Sequence, residues 1–275
     1  MSTTDTPILN IITRRPLFNI NRIEAFTKAG LPTIATAYKE IEIVDGIATH
    51  PTNPIDTPFT YWNAASLGYD TSYKEATVVA AGTKILNSRQ AREHAEDKLA
   101  TARTLHAVNI PTIPGIYATP GNPIPENHVA KPLTGRKGEN ILYWKTHTHI
   151  PYNLGEQHWL IQPYIPNSHQ WLRILIIGGI PVTAYTRTPA AGSEIANVSQ
   201  GATRTFIPLN QIREDTIETA IKASQRLGLT ICGVDITNPE DEAAQIVELN
   251  SQPALPLVVL PEIASALKTT LIPHV

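Results

Sequence analysis

Two short apolar runs near the end of the chain carry acidic residues where a strand would bury them. Gly233-Val234-Asp235-Ile236 is followed by a polar break over 237–243 and then by Ile246-Val247-Glu248-Leu249-Asn250. Asn238-Pro239 in the break is a turn signal, so the runs read as an antiparallel hairpin. Centring the turn near residues 241–242 sets Asp235 opposite Glu248. Asn250, two residues further on, points to the same face as Glu248. Two carboxylates and an amide oxygen on one face suit a hard cation such as Mg²⁺, which takes oxygen ligands and often shares them with a substrate phosphate. The competing reading is a hairpin with a polar solvent face. Against it, Asp235 lies inside an apolar run, where an unpaired carboxylate is costly. Facing carboxylates also repel, and a cation removes that penalty.

A second group of residues suits phosphate. His128-Val129-Ala130-Lys131-Pro132 leads into Leu133-Thr134-Gly135-Arg136-Lys137-Gly138. Lys131 ends a strand and a glycine turn follows, so cations and backbone N–H groups converge as a polyphosphate requires. The turn matches neither GxxxxGK[ST] nor GxGxxG; taken alone it reads equally as a solvated basic loop. Lys98 sits on an amphipathic helix, where an exposed lysine is the ordinary case. Arg173 and Arg187 lie on two strands joined by Gly178-Gly179 and suit bidentate contact with phosphate or carboxylate. For either arginine alone, an edge-strand charge that discourages aggregation is an equally good reading.

Other chemistry-bearing residues carry less. His147, His149, Glu156 and His158 have no metal-ligand spacing, and His94 and His106 read as surface positions. Trp62, Trp144, Trp159 and Trp171 read as packing residues. Cys232, inside an apolar strand, reads as an inert core thiol.

The elements that must position these residues follow from composition and periodicity. The chain has 275 residues, enough for roughly two domains, and a formal charge of −2. That balance gives no footprint for nucleic acid or an anionic membrane. One cysteine excludes an intramolecular disulfide and a thiolate zinc cage. Residues 1–15 lack the pattern of a signal peptide, and no apolar stretch approaches the roughly 20 residues of a membrane helix. A soluble, cytoplasmic protein is expected. Strands are expected at 8–12, 33–36, 41–44 and 77–81, with a helix over 19–29 capped by Gly30 and a tight turn at Asp45-Gly46. Ala91, Ala95, Leu99, Ala102 and Leu105 predict one helix after Asn87-Ser88. A second helix begins near Ile212 and stops at Gly228. Between them lie strands at 128–131, 141–144, 159–162, 171–177 and 182–187. Strands at 229–236 and 245–249 close the chain, and the proline-rich stretch 109–125 suits a hinge.

Together, and in this order, these pieces resemble the ATP-grasp superfamily, and most closely its RimK branch of carboxylate–amine ligases. The matching residues are Leu86-Asn87-Ser88, Asp97-Lys98-Leu99, Val129-Ala130-Lys131 with Gly135 and Gly138, and Leu160-Ile161-Gln162-Pro163-Tyr164-Ile165. Leu172-Arg173, Arg187, Asn197 and Gly201 follow, and the match closes on the Asp235/Glu248/Asn250 hairpin with Ser251 and Pro253. It covers roughly residues 86–255. The resemblance implies an α/β ATP-grasp fold: an N-terminal pre-ATP-grasp domain (1–86), a linker helix and lid lobe (87–165), and a C-terminal mixed-sheet lobe with the metal site (166–275). It implies ATP and Mg²⁺ as cofactors, with Mn²⁺ as a substitute, and ligation of an amino-acid or peptide carboxylate to an amine through an acylphosphate. Lys98, Lys131 and the turn of Gly135 and Gly138 would hold phosphates. Gln162, Pro163, Tyr164 and Ile165 would line the adenine. Asp235, Glu248 and Asn250 would hold metal, while Arg173, Arg187 and Asn197 would line the phosphate and acceptor side. Pro163 stands where the branch usually has a glutamate for the adenine amino group, Trp171 where an acidic residue is common, and Asn140 where another glycine is common. The alternative is a nucleotide-binding relative without ligase chemistry, acting as regulator or scaffold. A glycine-turn kinase is disfavoured for want of a general base. Homo-oligomerisation and the identities of acid and amine stay open.

Overall fold

The computed structural model describes residues 7–14, 20–63, 69–134, 140–154, 157–165, 171–188, 202–237 and 243–272, which fall into two compact units, Met1–Arg89 with Ala254–Val275, and Gln90–Pro253.

The first unit centres on strands that bury side chains on both faces, with Asn10, Thr36 and Thr60 among the apolar ones. β1 (Leu9–Thr13) is buried along its whole length, as a central parallel strand must be. α1 (Ile20–Lys28) buries Phe26 and ends at Gly30, whose φ of +80° closes the helix, with the Leu31 N–H donating to the Phe26 carbonyl. β2 (Thr33–Ala37), β3 (Glu42–Val44) and β4 (Ile47–Thr49) follow. The β3–β4 turn puts Asp45 at φ 50° and Gly46 at φ 78°, the pair of positive dihedrals that a two-residue hairpin needs. β5 (Phe59–Asn63), α2 (Tyr69–Ala80) and β6 (Lys84–Leu86) complete a parallel sheet in the order β2-β1-β5-β6.

Residues 77–81, expected as a strand, lie largely in α2. Their β-branched character is overridden by packing: Val78 is fully buried against Ile12, Ile41 and Trp62. Thr77 donates its hydroxyl back to the Tyr73 carbonyl, a bond that suits helical Thr.

The second unit opens with α3 (Arg89–Glu96) and α4 (Lys98–His106). The apolar spacing predicted one helix across both. Asp97 breaks it: at φ −86°, ψ 106° its backbone is extended, and its carboxylate accepts the N–H groups of Leu99 and Ala100 at 2.9 Å. An Asp N-cap costs nothing in apolar periodicity, so that spacing continues through it. The Lys98 N–H donates instead to Leu133 O at 3.1 Å. The break thus fixes the start of α4 beside the strand that leads to residue 134.

β7 (Ile116–Ala118), β8 (His128–Pro132), β9 (Leu142–Tyr143) and β10 (Trp159–Pro163) form an antiparallel sheet in the order β7-β10-β8-β9 around fully buried Trp159. β11 (Trp171–Ile177), β12 (Ile180–Thr188), β13 (Thr203–Ile207), β14 (Ile231–Thr237) and β15 (Ile246–Asn250) form the larger sheet, ordered β13-β12-β11-β14-β15. Alternation sorts its faces. Leu172, Ile174, Val234, Ile236 and Leu249 join Ala220 and Ala223 of α5 (Glu214–Arg226) in one core. The opposite face carries the polar residues of interest. Residues 111–113, within the stretch expected as a hinge, are stitched to β15: Ile113 N–H donates to Ile246 O, and Ile246 N–H to Pro111 O. α6 (Leu260–Leu271) closes the chain and packs on α1 in the first unit. Among the described residues no helix is long and apolar enough to cross a membrane.

Asp97→Ala removes both cap bonds and is expected to lower stability by about 1 kcal/mol, read as an earlier urea or thermal transition. An unchanged transition would show that the start of α4 is held by its other contacts alone.

Candidate active site

The hairpin forms in the register that the sequence predicts. Asp235 on β14 faces Glu248 on β15, and Gly233 faces Asn250. β11 sits on the other side of β14, with Arg173 opposite Asp235 and also opposite Tyr185 of β12. One row therefore runs Glu248, Asp235, Arg173, Tyr185 and Phe206 across all five strands, and Arg187 faces Arg204 in the next row.

The row is held by charge. Arg173 grips Asp235 with both arms of its fork, Nε to Oδ1 and Nη2 to Oδ2, each at 2.5 Å. Arg187 Nη2 adds a third bond to Oδ2 at 2.8 Å. The Asp235 side chain is 5% exposed. Burial alone would push its pKa up, but the charges and hydrogen bonds of Arg173 and Arg187 hold it below the ordinary carboxylate range. Burial works against the Arg173 charge, and Asp235 outweighs it, so the guanidinium is raised. The edge-strand reading of the two arginines fails, because β11 and β12 are each paired on both sides. The sequence argument had a cation relieve the Asp235–Glu248 repulsion; in the fold two arginines neutralise Asp235. Gly233 lets Pro253 pack close to β14: a Cβ there would meet Pro253 Cβ at 2.9 Å. A glycine inside an apolar strand was the available signal for that close approach.

Lys131, on β8, is within electrostatic reach of the row. Burial lowers its pKa, Glu248 raises it, Lys98 lowers it and Asp235 raises it, in that order of size. Lys131 thus feels both carboxylates and the neighbouring Lys98. Glu248 is half-buried and makes no hydrogen bond or ion pair among the described residues. The Asn250 amide nitrogen lies 3.5 Å from Gly233 O, leaving its oxygen for a ligand.

This donor set fits a hard cation. A carboxylate offers roughly four acceptor positions, of which the arginines take three on Asp235. Asp235 can therefore supply one oxygen, Glu248 two and Asn250 one, all of the type Mg²⁺ takes. The histidine-rich alternative gathers nothing comparable: among the described residues no group of three His, Cys, Asp or Glu forms a metal cage. His158 bonds Tyr117 instead, at 2.7 Å. His94, expected at the surface, is half-buried with Nε2 2.8 Å from the Thr104 hydroxyl. Burial raises the Cys232 thiol, as befits an inert core position.

On β10 the Gln162 side chain is buried and donates to Ile113 O at 3.1 Å, so its amide is spent on the fold. Pro163 is exposed. The Tyr164 N–H goes to Asn127 O at 2.7 Å, and its ring meets Trp144 at 5.0 Å and Tyr143 at 5.9 Å. Lys145 Nζ lies 5.1 Å from the Trp144 ring centroid. Ile165 follows, half-buried. Gly135, Gly138 and Asn197 lie outside the described residues.

Arg204 was missed because the strand 203–207 was not foreseen, although Thr-Arg-Thr-Phe alternates as a strand should. Its guanidinium carbon lies 5.2 Å from the Tyr185 ring centroid.

Residues 125–267 match the RimK-like ATP-grasp domain. A probable alpha-L-glutamate ligase of Parasynechococcus marenigrum (strain WH8102) is 27% identical over 195 residues, 64% of this chain and 40% of that protein. One of Halorhodospira halophila is 28% identical over 63% of this chain and 61% of its own length. The chain thus spans less than two thirds of either relative. The ATP-grasp ligase PsnB, solved with minimal precursor, Mg and ADP, superposes with TM-score 0.67 at 14% identity over 98% of this chain and 99% of that one. A RimK domain ATP-grasp protein of Sphaerobacter thermophilus gives 0.65 at 15%, over 96% and 99%. The fold is therefore that of an ATP-grasp protein. The chain belongs to the RimK-like ATP-grasp family.

Breaking the buried pair tests the row. Arg173→Met leaves Asp235 with one partner in a dry site and is expected to cost roughly 3–5 kcal/mol. Adding Asp235→Asn should recover part of that loss in denaturant unfolding, whereas additive losses would show that the two side chains do not act as a pair.

Proposed function

We propose that this chain is an ATP- and Mg²⁺-dependent ligase that joins a carboxylate to an amine through an acylphosphate. One observation carries the reading: Glu248, Asp235 and Arg173 form a continuous charged row, with Lys131 within its field and Lys98 next to Lys131. Acidic ligands for a cation beside lysines for phosphate are what phosphoryl transfer needs, because its charge is spread over several oxygens at once.

In this reading a substrate carboxylate oxygen bonds to the γ-phosphorus of ATP while the bond from that phosphorus to ADP breaks. The amine nitrogen then bonds to the acyl carbon, loses a proton, and phosphate departs. Asp235, Glu248 and Asn250 would hold the cation, whose charge would offset that of the transferring group. Lys98 and Lys131 bind and orient the phosphates. Arg187 and Arg173, already held in place by Asp235, present fixed positive charge without having to reorganise. Tyr164 and Ile165 line the base, with Pro163 offering it no N–H. No nucleophile from the chain is required. The names of the relatives support an amino-acid or peptide substrate. For the parts, we propose residues 87–165 as linker helix and lid and the strands from 171 onward as the metal-bearing lobe.

The second reading, a nucleotide-binding regulator without ligation, is favoured by one observation: Arg173 and Arg187 already take three of the roughly four acceptor positions of Asp235.

Calorimetry with ATP separates the readings. ATP should bind the wild type only with Mg²⁺, and Glu248→Ala should weaken binding at least tenfold. L-Glutamate and glutamate-containing peptides should then stimulate phosphate release. Binding that is indifferent to Mg²⁺ and to Glu248 would sink the ligase reading.

A further inference from the structure

Two strands far apart in the chain meet on one residue. The Ile113 N–H donates to Ile246 O on β15 at 3.0 Å, and the Ile113 carbonyl accepts from Gln162 Nε2 on β10 at 3.1 Å. Ile246 returns its own N–H to Pro111 O at 2.9 Å, with Thr112 bridged to it in parallel. Ile113, Gln162 and Ile246 are each at most 5% exposed, so water does not compete for these bonds. Gly115 lets the segment lie against β10: a Cβ there would meet Leu160 Cγ at 2.9 Å and Gln162 Cγ at 3.1 Å. The peptide groups of Ile113 therefore act as a strut between the two antiparallel sheets of the second unit.

Each end of the strut sits beside a charge. On β10, Leu160 is paired with Lys131, and Gln162 stands two residues on, so Gln162 and Lys131 leave the same face of the small sheet. On β15 the strut grips Ile246 just before a shift in register. Ile246 faces Ile236, yet Glu248 faces Asp235, with one extra residue, Val247, between them. A bulge of this kind re-aims the side chain that follows it. Ile246 stays in the α5 core, and Glu248 is turned onto the face of Asp235. The direction of Glu248 thus depends on where the Ile246 backbone is held, and residues 111–113 hold it. Among the charged groups that act on Lys131, Glu248 has the largest effect, so the two ends are electrically in touch.

We propose that Gln162 is a positioning residue: through Ile113 it steadies the bulge on β15, and so sets Glu248 relative to Lys131, without touching the nucleotide. The ligand that those two groups would share comes from the ligase reading, on which the proposal rests, but the strut is tested in the unliganded protein. Full-length wild type, Gln162→Leu and Gln162→Met would be compared; both variants remove the donor at nearly constant volume. Amide hydrogen exchange would be followed without ligand. ATP and GTP, each with Mg²⁺, would then be titrated calorimetrically into these proteins, into Glu248→Ala and into the Gln162→Leu/Glu248→Ala double variant.

Exchange at the Ile113 and Ile246 amides should become about tenfold faster in both Gln162 variants, as the loss of one buried hydrogen bond allows local opening. The amides of α5 should change much less. ATP binding should weaken about tenfold, with the ratio of ATP to GTP affinity as in the wild type. In the Glu248→Ala background Gln162→Leu should add no further loss, because the side chain it positions is gone. Unchanged exchange at Ile113 and Ile246, or an equal rise across α5, would overturn the strut. Undiminished ATP binding, an altered ATP-to-GTP ratio, or losses that add in the double variant would overturn the positioning role; an altered ratio would make Gln162 a contact to the base. A wild type that binds neither nucleotide would remove the ligase reading, and the exchange result would still decide the strut.

Discussion

Everything on the working face of the large sheet depends on a carboxylate with two arginines. Asp235 sits in the middle of a strand that is buried along its whole length, where a bare charge would not survive. Arg173 and Arg187 supply three hydrogen bonds to it from the neighbouring strands. The same bonds lock both guanidinium groups into fixed directions. A buried ion pair of this kind is a weak source of stability and a strong source of specificity of arrangement. The register of β11, β12 and β14 is pinned by it, because a slip of one residue would send Asp235 into the α5 core.

Division of labour between the two faces of that sheet follows. Residues of even number on β11 and β14, among them Leu172, Ile174, Val234 and Ile236, pack with α5. The odd-numbered Arg173 and Asp235 face the other way. The helix-covered side packs apolar residues, and the opposite side, itself largely buried, carries the charged row. Arg173 therefore rests on a scaffold whose position does not depend on the ligand, as electrostatic preorganisation requires.

Much of this was legible in the sequence where a local rule governs. Opposition of Asp235 and Glu248 follows from turn position and a period of two, and the Gly30 and Gly228 helix stops from backbone sterics. What was not legible came from neighbours distant in sequence. Nothing near residue 235 announces that Arg173 and Arg187 will neutralise it. The α2 helix at 77–81 is set by packing on Ile12 and Trp62, against the preference of its own Val78 and Val79. Asp97 was visible as a residue type, yet the apolar spacing on either side of it hid the break. Of the candidate residues, Lys131, Arg173, Arg187, Asp235, Glu248 and Asn250 stood out by type and spacing and Lys98 only through the family resemblance, and Arg204 escaped because its strand did.

The stitching of residues 111–113 to Ile246 bears on how the chain behaves in a crowded solution. β15 is the last strand of its sheet, and a bare outer edge there would offer a template of unpaired N–H and C=O groups to any extended chain. Ile246 already gives both of its outward groups to the segment at Pro111 and Ile113. That single parallel bridge occupies the edge at Ile246, so this end of the strand that carries Glu248 and Asn250 is shielded from adding a foreign strand.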